Sequence, residues 1–375
     1  YQRRRLALRL LSSLLGMGYL VLIVAGAWDD RLWLAFPGRP LLGAALYFSI
    51  LLLGYELLRA PLAWCGGWWL AHRYGLSRQS FAGWLWDWAK GAGLALALGL
   101  PAGLLLFAWM ATKGEGWWWG AGLGAVLVGV VLTRLGPVLL VPLFFRLRPL
   151  SDAQLAARLA GLAEQAGTRV VGVYELELST KSRSAGAALA GLGKTRRILL
   201  SDTLLSRFDA EEVGAVVAHE LGHHAGRHIG KLILLQGALL LLGFYLAERL
   251  GSTELAEVLA AGVLPGSPSG PPLGVPLPAG PGGTASPGAI PAVALGLSLW
   301  GAILSPALTA YGRRLERFCD RFAVRLGGGP PFRRALEKLG EMNLADPAPP
   351  RWMTLLFYTH PPLAERMRLA GESAP

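Results

Sequence analysis

Cysteine and charged residues are both scarce in this chain. Only 2 of the 375 residues are cysteine, and they lie far apart in sequence, which excludes a disulfide framework and a CxxC metal knuckle. Charged residues make up 16% of the chain, whereas 53% are hydrophobic, and the mean hydropathy is +0.43. That balance excludes an ordinary soluble domain of this length.

The net charge of +12 by itself would suggest nucleic acid as a partner. However, the basic residues cluster at the ends of apolar runs rather than on one soluble module. This arrangement is typical of anchoring at a lipid surface. We therefore expect a lipid bilayer as a partner and no nucleic acid.

Six apolar segments approach the ~20 residues needed to cross about 30 Å of hydrocarbon. They are Leu6–Trp28, Leu41–Leu58 with an extension towards Leu70, Gly91–Ala111, Trp117–Phe145, Leu232–Ala247 and Ala289–Tyr311. The fifth segment is short, and we expect it to continue the helix that precedes it. About six membrane spans are predicted.

The distribution of basic residues predicts the orientation. With the amino terminus inside, the cytoplasmic pieces carry Arg3–Arg5, Arg73, Arg78, Lys90, Arg146, Arg148 and, after the last span, Arg313, Arg314 and Arg317. The outer loops offer only Arg31, Arg39, Lys113 and Arg249. The positive-inside rule therefore predicts that both termini and the segment 150–230 are cytoplasmic.

Two regions are predicted along the chain. Residues 1–150 form an amino-terminal transmembrane region of four spans. Residues 151–375 include two further spans, a cytosolic tail and an outer loop at 251–288, because residues 265–288 contain 8 Pro and 7 Gly and exclude helix and strand.

A soluble unit is predicted before the fifth span. Its pattern indicates a helix at Asp152–Ala166 and strands at Arg169–Leu178 and Arg196–Ser201. Another helix then begins at Asp209, because Asp209 and Glu212 have the spacing of a capping box.

Histidines are also few, and four of the six lie within ten residues, at 219, 223, 224 and 228. His219, Glu220 and His223 form the pattern HExxH. Positions four apart share one helix face, so both imidazoles can bind one ion, and zinc suits them. Glu220 would lie beside the water on that ion and act as a general base. The alternative is a chance pentapeptide on a helix that merely carries histidines.

A catalytic zinc usually has a third protein ligand. His228 lies nine residues after His219, on the opposite side of a continuing helix, so we reject it as a ligand. Further along, Glu316 and Asp320 share a helix face, which suits a ligand and a carboxylate that orients a zinc histidine. An ordinary charged helix face explains the same spacing equally well.

Further motifs follow in a fixed order. They are His72–Phe81, the glycine turn and strand Leu192–Leu205, HExxH at 219–223, Glu316 with Asp320, Asn343-Leu344 and Thr359–Arg366. In this order, from about residue 60 to 370, the chain resembles the type 1 CAAX prenyl protease family of integral-membrane zinc metallopeptidases. The resemblance implies one zinc per chain on His219, His223 and Glu316, with Glu220 as base and Asp320 as the acid of an ExxxD motif. It also implies a cytosol-facing site in a chamber enclosed by helices.

The same resemblance places His360 and Arg366 at the active site. A donor aimed at the scissile carbonyl oxygen would stabilise its developing charge, and Arg366 would hold the substrate backbone or carboxylate. The alternative is a turn and helix start in which Arg366 pairs with Glu365 or with a phospholipid headgroup.

The segment Ala185–Leu189, with Gly186, Ala187 and Ala188 at its centre, is expected to bind substrate as an added strand. The family usually carries Asn-Ala where this chain has Gly186-Ala187, so a side chain that assists substrate binding is lost. Cys319 likewise replaces a usual Ala.

The sequence thus predicts a mainly α-helical polytopic membrane protein with a small α+β cytosolic zinc-peptidase portion. It would hydrolyse peptide bonds of a peptide or protein substrate, lipidated or membrane-associated, in the plasma membrane or, in a bacterium, the inner membrane. One alternative is a site-2-type intramembrane protease, which needs an Asp ligand within a later span. Another is a non-catalytic membrane protein with an incidental metal site.

Overall fold

The computed structural model of the chain describes residues 1–26, 39–191, 193–251 and 288–372. Within these ranges six helices are long and apolar enough to cross a membrane, as the sequence predicted. The first four are α1 (Gln2–Ala25), α2 (Pro40–Trp64), α3 (Phe81–Lys113) and α4 (Trp117–Leu139). The predicted outer loop at 251–288 lies, apart from its two ends, outside the described residues, as does the end of the first predicted span.

Two of these helices are longer than their apolar runs. Helix α2 continues through a π-helical turn, Cys65–Trp69, into Leu70–Arg73, which confirms the predicted extension towards Leu70. Helix α3 begins ten residues before the predicted Gly91, because the Ser80 hydroxyl caps it by accepting a hydrogen bond from the Gly83 N–H at 3.1 Å. Asp87 and Lys90 interrupt the apolar pattern within the first three turns, so the predicted span began only after them.

The soluble unit contains α5 (Ala153–Gln165) and a four-stranded sheet. The strands are β1 (Leu147–Pro149), β2 (Val173–Leu176), β3 (Ala187–Ala190) and β4 (Arg197–Ser201). Their order is β1-β2-β4-β3, with β2 parallel to β4 and both outer pairs antiparallel. The helix and the strand predicted at Arg196–Ser201 are confirmed to within one residue at each end, whereas only Val173–Leu176 of the strand predicted at Arg169–Leu178 is a strand. Strand β3 lies at one edge of the sheet.

Helix α6 (Ala210–Ala225) carries HExxH and crosses the core of this unit. The predicted capping box is confirmed: Asp209 Oδ1 accepts from the Glu212 N–H at 2.9 Å, and Glu212 Oε2 accepts from the Asp209 N–H at 3.0 Å. Its buried face packs on α5 and β4 through Val213, Val216, Val217, Leu159, Ile198 and Leu200. Each large side chain buried there stabilises the fold by about 1.5–3 kcal/mol, so this packing helps to hold α6 in place.

The fifth span, α7 (His228–Gly251), is a separate helix, so the expectation that it continues the HExxH helix is wrong. The chain turns at Gly226 and Arg227, where Arg227 has the left-handed φ of 52°. This turn, rather than a helical period, determines the position of His228.

The sixth span lies in α8 (Ala289–Gly327), a single helix of 39 residues that runs well past the predicted end at Tyr311. Three shorter helices follow, α9 (Gly329–Met342), α10 (Arg351–Phe357) and α11 (Leu363–Glu372). Helix α8 packs closely on α6, because a Cβ at Gly327 would lie only 2.8 Å from the Cα of Ala215. The end of α8 is thereby held against the HExxH helix.

Candidate active site

Three side chains from two helices converge at the contact between α6 and α8. His219 Nε2 lies 3.2 Å from Glu316 Oε2, and His223 Nε2 lies 3.4 Å from Glu316 Oε1. The three donor atoms all lie within 4.8 Å of one another. The structure therefore brings together the two histidines of HExxH and the downstream glutamate, which are separated by more than ninety residues of sequence.

These donors fit a bound zinc ion. Glu316 is buried, and its Oε2 atom accepts no hydrogen bond from any described residue although it faces His219. A buried carboxylate oxygen without a hydrogen bond is costly, and a cation at this point would satisfy it. Two imidazole nitrogens and one carboxylate form the ligand set of a catalytic zinc site with an open position.

Gly222, between the two histidines of HExxH, makes the convergence geometrically feasible. A Cβ at this position would lie 3.0 Å from the Cα of Cys319 and 3.2 Å from its Cβ. The backbone of α6 at Gly222 therefore packs directly against Cys319 of α8. This close approach lets Glu316 of α8 reach across to His219 and His223.

Asp320 lies behind His219, on the ring nitrogen opposite the one that faces Glu316. Its Oδ1 atom lies 3.0 Å from His219 Nδ1, and Asp320 is 1% exposed. Nδ1 must carry the proton that it donates to Asp320, which leaves Nε2 as the lone pair available to a metal. Burial alone would lower the pKa of His219, but the adjacent carboxylates of Asp320 and Glu316 raise that pKa to about 9 in the metal-free protein. Metal binding at neutral pH therefore releases a proton.

Arg366 has a partner that the sequence did not predict. Its guanidinium donates to both oxygens of Asp320, with Nη2 2.7 Å from Oδ1 and Nε 3.0 Å from Oδ2. The alternative pairing with Glu365 is wrong, because Glu365 binds Arg317 at 2.7 Å. Arg366 thus holds the carboxylate that orients His219.

His360 reaches the metal-binding side of the site from the loop between α10 and α11. Its Nε2 atom lies 3.3 Å from Glu316 Oε2, while 56% of its side chain remains exposed. The loop is anchored by buried Arg313, which donates to the carbonyl oxygens of Thr354 and Tyr358 at 2.7 Å each. His360 therefore combines a fixed backbone with an accessible ring.

Glu220 lies next to His219 on α6 and is less buried than its neighbour. Burial raises the pKa of Glu220, while the adjacent His219 and His223 lower it when they are charged. A carboxylate with a raised pKa can take a proton from water and release it again at neutral pH.

His228 contacts His223 of this site, although the helical period had placed it on the opposite side of the helix. His228 Nδ1 lies 3.2 Å from His223 Nδ1 and 3.5 Å from Cys319 Sγ. The rejection of His228 as a zinc ligand assumed a continuous helix, whereas α6 ends at Ala225. The one sequence signal available was Gly226, which can end a helix just ahead of it.

The predicted substrate segment forms the exposed edge of the sheet. Asn343 holds its first residue by both backbone groups: Oδ1 accepts from the Ala185 N–H and Nδ2 donates to the Ala185 carbonyl, each at 3.0 Å. Beyond it, β3 pairs only with β4 among the described strands. A Cβ at Gly186 would meet nothing within 4 Å, so this position opens onto free space.

Comparisons with known families cover both halves of the chain. Residues 149–373 match the sequence model of peptidase family M48, and residues 1–146 match the CAAX prenyl protease N-terminal region, described as five membrane helices.

Two relatives and one solved structure are similar to this chain over most of its length. The chain is 27% identical over 369 residues to an uncharacterised metalloprotease, YhfN, of Bacillus subtilis, covering 95% of this chain and 81% of the relative. It is 28% identical over 360 residues to the CAAX prenyl protease 1 homologue of Arabidopsis thaliana, covering 92% and 77%. The crystal structure of S. mikatae Ste24p has the same fold, with a TM-score of 0.78, 22% identity and coverage of 92% and 81%. This chain therefore belongs to peptidase family M48 and is a multi-pass membrane metalloprotease of the CAAX prenyl protease type.

Proposed function

We propose that the chain is a zinc metalloendopeptidase in which Glu220 is the general base. The observation that carries the proposal is the convergence of His219, His223 and a Glu316 oxygen without a hydrogen bond, directly beside Glu220. One zinc ion per chain, held by these three residues, would supply a Lewis acid that polarises a carbonyl and lowers the pKa of water.

The protein's own groups would move the protons. Glu220 takes a proton from the attacking water and passes it to the nitrogen of the leaving amine. Asp320 and Arg366 hold the His219 ring so that Nε2 keeps facing Glu316. His360, whose Nε2 lies 3.3 Å from Glu316 Oε2, would donate a hydrogen bond to the scissile carbonyl oxygen as that oxygen gains negative charge.

The substrate would bind as an extended strand along β3, with Gly186, Ala187 and Ala188 as its contacts. Edge strands present unpaired backbone groups to a peptide, and Asn343 fixes the start of this edge. The variant Gly186→Asn tests the assignment, because open space at Gly186 accommodates the side chain. We expect a lower KM with unchanged kcat, and an unchanged KM would argue against substrate pairing at this edge.

The active site would face the cytoplasm. This orientation is supported by the basic residues. They are concentrated at the amino terminus, between the second and third spans, between the fourth and fifth spans where α6 lies, and after the sixth span. Protease protection of a carboxy-terminal tag in sealed inverted vesicles tests it. Digestion in inverted but not right-side-out vesicles is expected, and the reverse pattern would overturn the orientation.

The substrate class we propose is a membrane-associated peptide, including lipidated ones. Six helices of the described part of the chain are long and apolar enough to cross a membrane, and the plant relative is named as a CAAX prenyl protease 1 homologue. Proteomic comparison of membranes that hold wild type or Glu220→Gln would identify peptides that accumulate only in the variant. Matched peptides with and without a lipid then show whether the lipid contributes to kcat/KM.

A site-2-type intramembrane protease is disfavoured by the position of Asp320. That class needs an aspartate ligand from a later span, whereas Asp320 contacts the ring nitrogen of His219 that points away from Glu316. A non-catalytic metal site is tested by the same Glu220→Gln comparison, because it predicts no difference between the two membranes.

A further inference from the structure

Three potential metal ligands meet on the far side of His223 from Glu316. His223 Nδ1 and His228 Nδ1 are 3.2 Å apart, Cys319 Sγ is 3.5 Å from His228 Nδ1, and one donor atom from each residue lies within 4.8 Å of the others. His228 is 2% exposed and Cys319 is fully buried. This cluster uses neither Glu316 nor His219.

Two glycines allow these side chains to meet. A Cβ at Gly226 would lie 2.2 Å from His228 Nε2, so the His228 ring fits only over a residue without a side chain. A Cβ at Gly222 would lie 3.0 Å from the Cα of Cys319, so α8 approaches α6 closely at the same level. The cluster is therefore fixed by backbone packing rather than by flexible side chains.

The spacing of the donors fits a metal ion. Bonds of about 2.05 Å to nitrogen and 2.3 Å to sulfur at tetrahedral angles separate two nitrogens by about 3.3 Å and a nitrogen from a sulfur by about 3.6 Å. The two measured spacings, 3.2 and 3.5 Å, lie close to these values. Two imidazoles and a thiol form a soft donor set, which favours thiophilic cations over magnesium or calcium.

We propose that His223, His228 and Cys319 form a second metal site that binds one thiophilic cation, such as Cd²⁺ or Cu⁺, and inhibits the enzyme when occupied. Binding of Cd²⁺ releases the Cys319 thiol proton and the Nδ1 proton of His223, so the thiolate and both Nδ1 atoms become ligands. The His223 ring then bridges this cation and the catalytic site, because its Nε2 faces Glu316. Two cations on one ring repel each other, so hydrolysis slows.

The site would be a property of this chain, because Cys319 stands where the family resemblance places alanine. Metal content and the absorption spectrum can detect this second metal site without any peptide cleavage. A failure of the proposed peptidase function would therefore leave the metal count and its spectrum interpretable on their own.

Cd²⁺ titration of the zinc-loaded, full-length protein in detergent tests the proposal. We expect the metal content to rise from one ion to two per chain, with zinc retained and a thiolate-to-cadmium charge-transfer band in the ultraviolet. Cys319→Ala should lose the second ion and the band while keeping zinc and uninhibited activity. The matched control is Cys65→Ala, which removes the cysteine of the π-helical turn and should retain both signals.

Inhibition provides the second readout. Cd²⁺ should inhibit wild type and Cys65→Ala at concentrations about tenfold or more below those needed for Cys319→Ala. His228→Ala should likewise lose the second ion, with its melting temperature measured alongside. The proposal is overturned if Cys319→Ala still takes up one Cd²⁺ in addition to its zinc, or if Cd²⁺ displaces zinc one for one in wild type without a thiolate band.

Discussion

The carboxylate of Asp320 lies 3.0 Å from Nδ1 of His219, and the same carboxylate receives three hydrogen bonds from Arg366. The chain of contacts runs from the carboxy-terminal helix, through α8, to the first histidine of HExxH. It keeps one ring nitrogen protonated and leaves the other for a metal. We infer that the orientation of His219 towards a metal depends on Asp320 and Arg366, which lie on the other side of its ring.

Asp320→Asn should weaken zinc binding by about 10–100-fold, because the amide holds the His219 ring less firmly and leaves Arg366 without a buried counter-charge. Competition with a chelator measures the affinity. Glu365→Gln, which removes the nearby carboxylate that pairs with Arg317, should leave zinc affinity unchanged. Equal affinities in all three proteins would mean that Asp320 does not orient the ligand.

Glu316→Ala should lose most of its zinc, since the two remaining histidines provide an incomplete ligand set. Metal content per chain after desalting is the measurement. Glu341→Ala, an exposed glutamate on α9, is the control and should retain one ion. Full zinc occupancy with normal activity in Glu316→Ala would contradict the assignment.

Glu220→Gln should retain zinc and fold but lose peptide cleavage by about 10²–10⁴-fold, because an amide cannot accept the proton of the attacking water. The measurement is kcat on a fluorogenic peptide, with metal content determined on the same sample. Glu211→Gln changes an exposed glutamate at the start of the same helix and should behave as wild type. Near-normal turnover in Glu220→Gln would locate the base elsewhere.

His360→Ala should lower kcat by about a hundredfold or more with zinc content and melting temperature unchanged, because it removes a donor needed only in the transition state. His224→Ala is the control, a histidine of α6 whose side chain takes no part in the site. If His360→Ala loses zinc in proportion to its activity, the residue holds the site together instead.

Gly222→Ala and Gly214→Ala form a matched pair on one helix. A Cβ at Gly222 would lie 3.0 Å from the backbone of Cys319, whereas at Gly214 it would make ordinary contact with Leu162 at 3.5 Å. Gly222→Ala should separate α6 from α8 and reduce both zinc content and melting temperature. Gly214→Ala should be neutral or stabilise by about 0.5–1 kcal/mol through helix propensity. Similar behaviour of the two variants would show that the close helix contact is not required.

The sequence by itself determined the elements whose signals are local. Apolar length predicted the six membrane helices, because a helix satisfies its backbone hydrogen bonds within a single segment and about 20 apolar residues suffice to cross a bilayer. The capping box fixed the start of α6, and the spacing of His219 and His223 placed both on one helix face. Glu316 and Asp320 could be proposed from spacing, but a charged helix face explained that spacing equally well.

Only the tertiary structure decided which groups meet. Three contacts join segments that no local pattern connects. They are Asp320 with His219, Arg366 with Asp320, and His360 with Glu316. His228 is the clearest case, because a turn with one left-handed residue redirects the chain and invalidates the helical period on which it was rejected. Local sequence encodes backbone conformation, whereas the partners of a buried polar group are set by how closely whole helices pack.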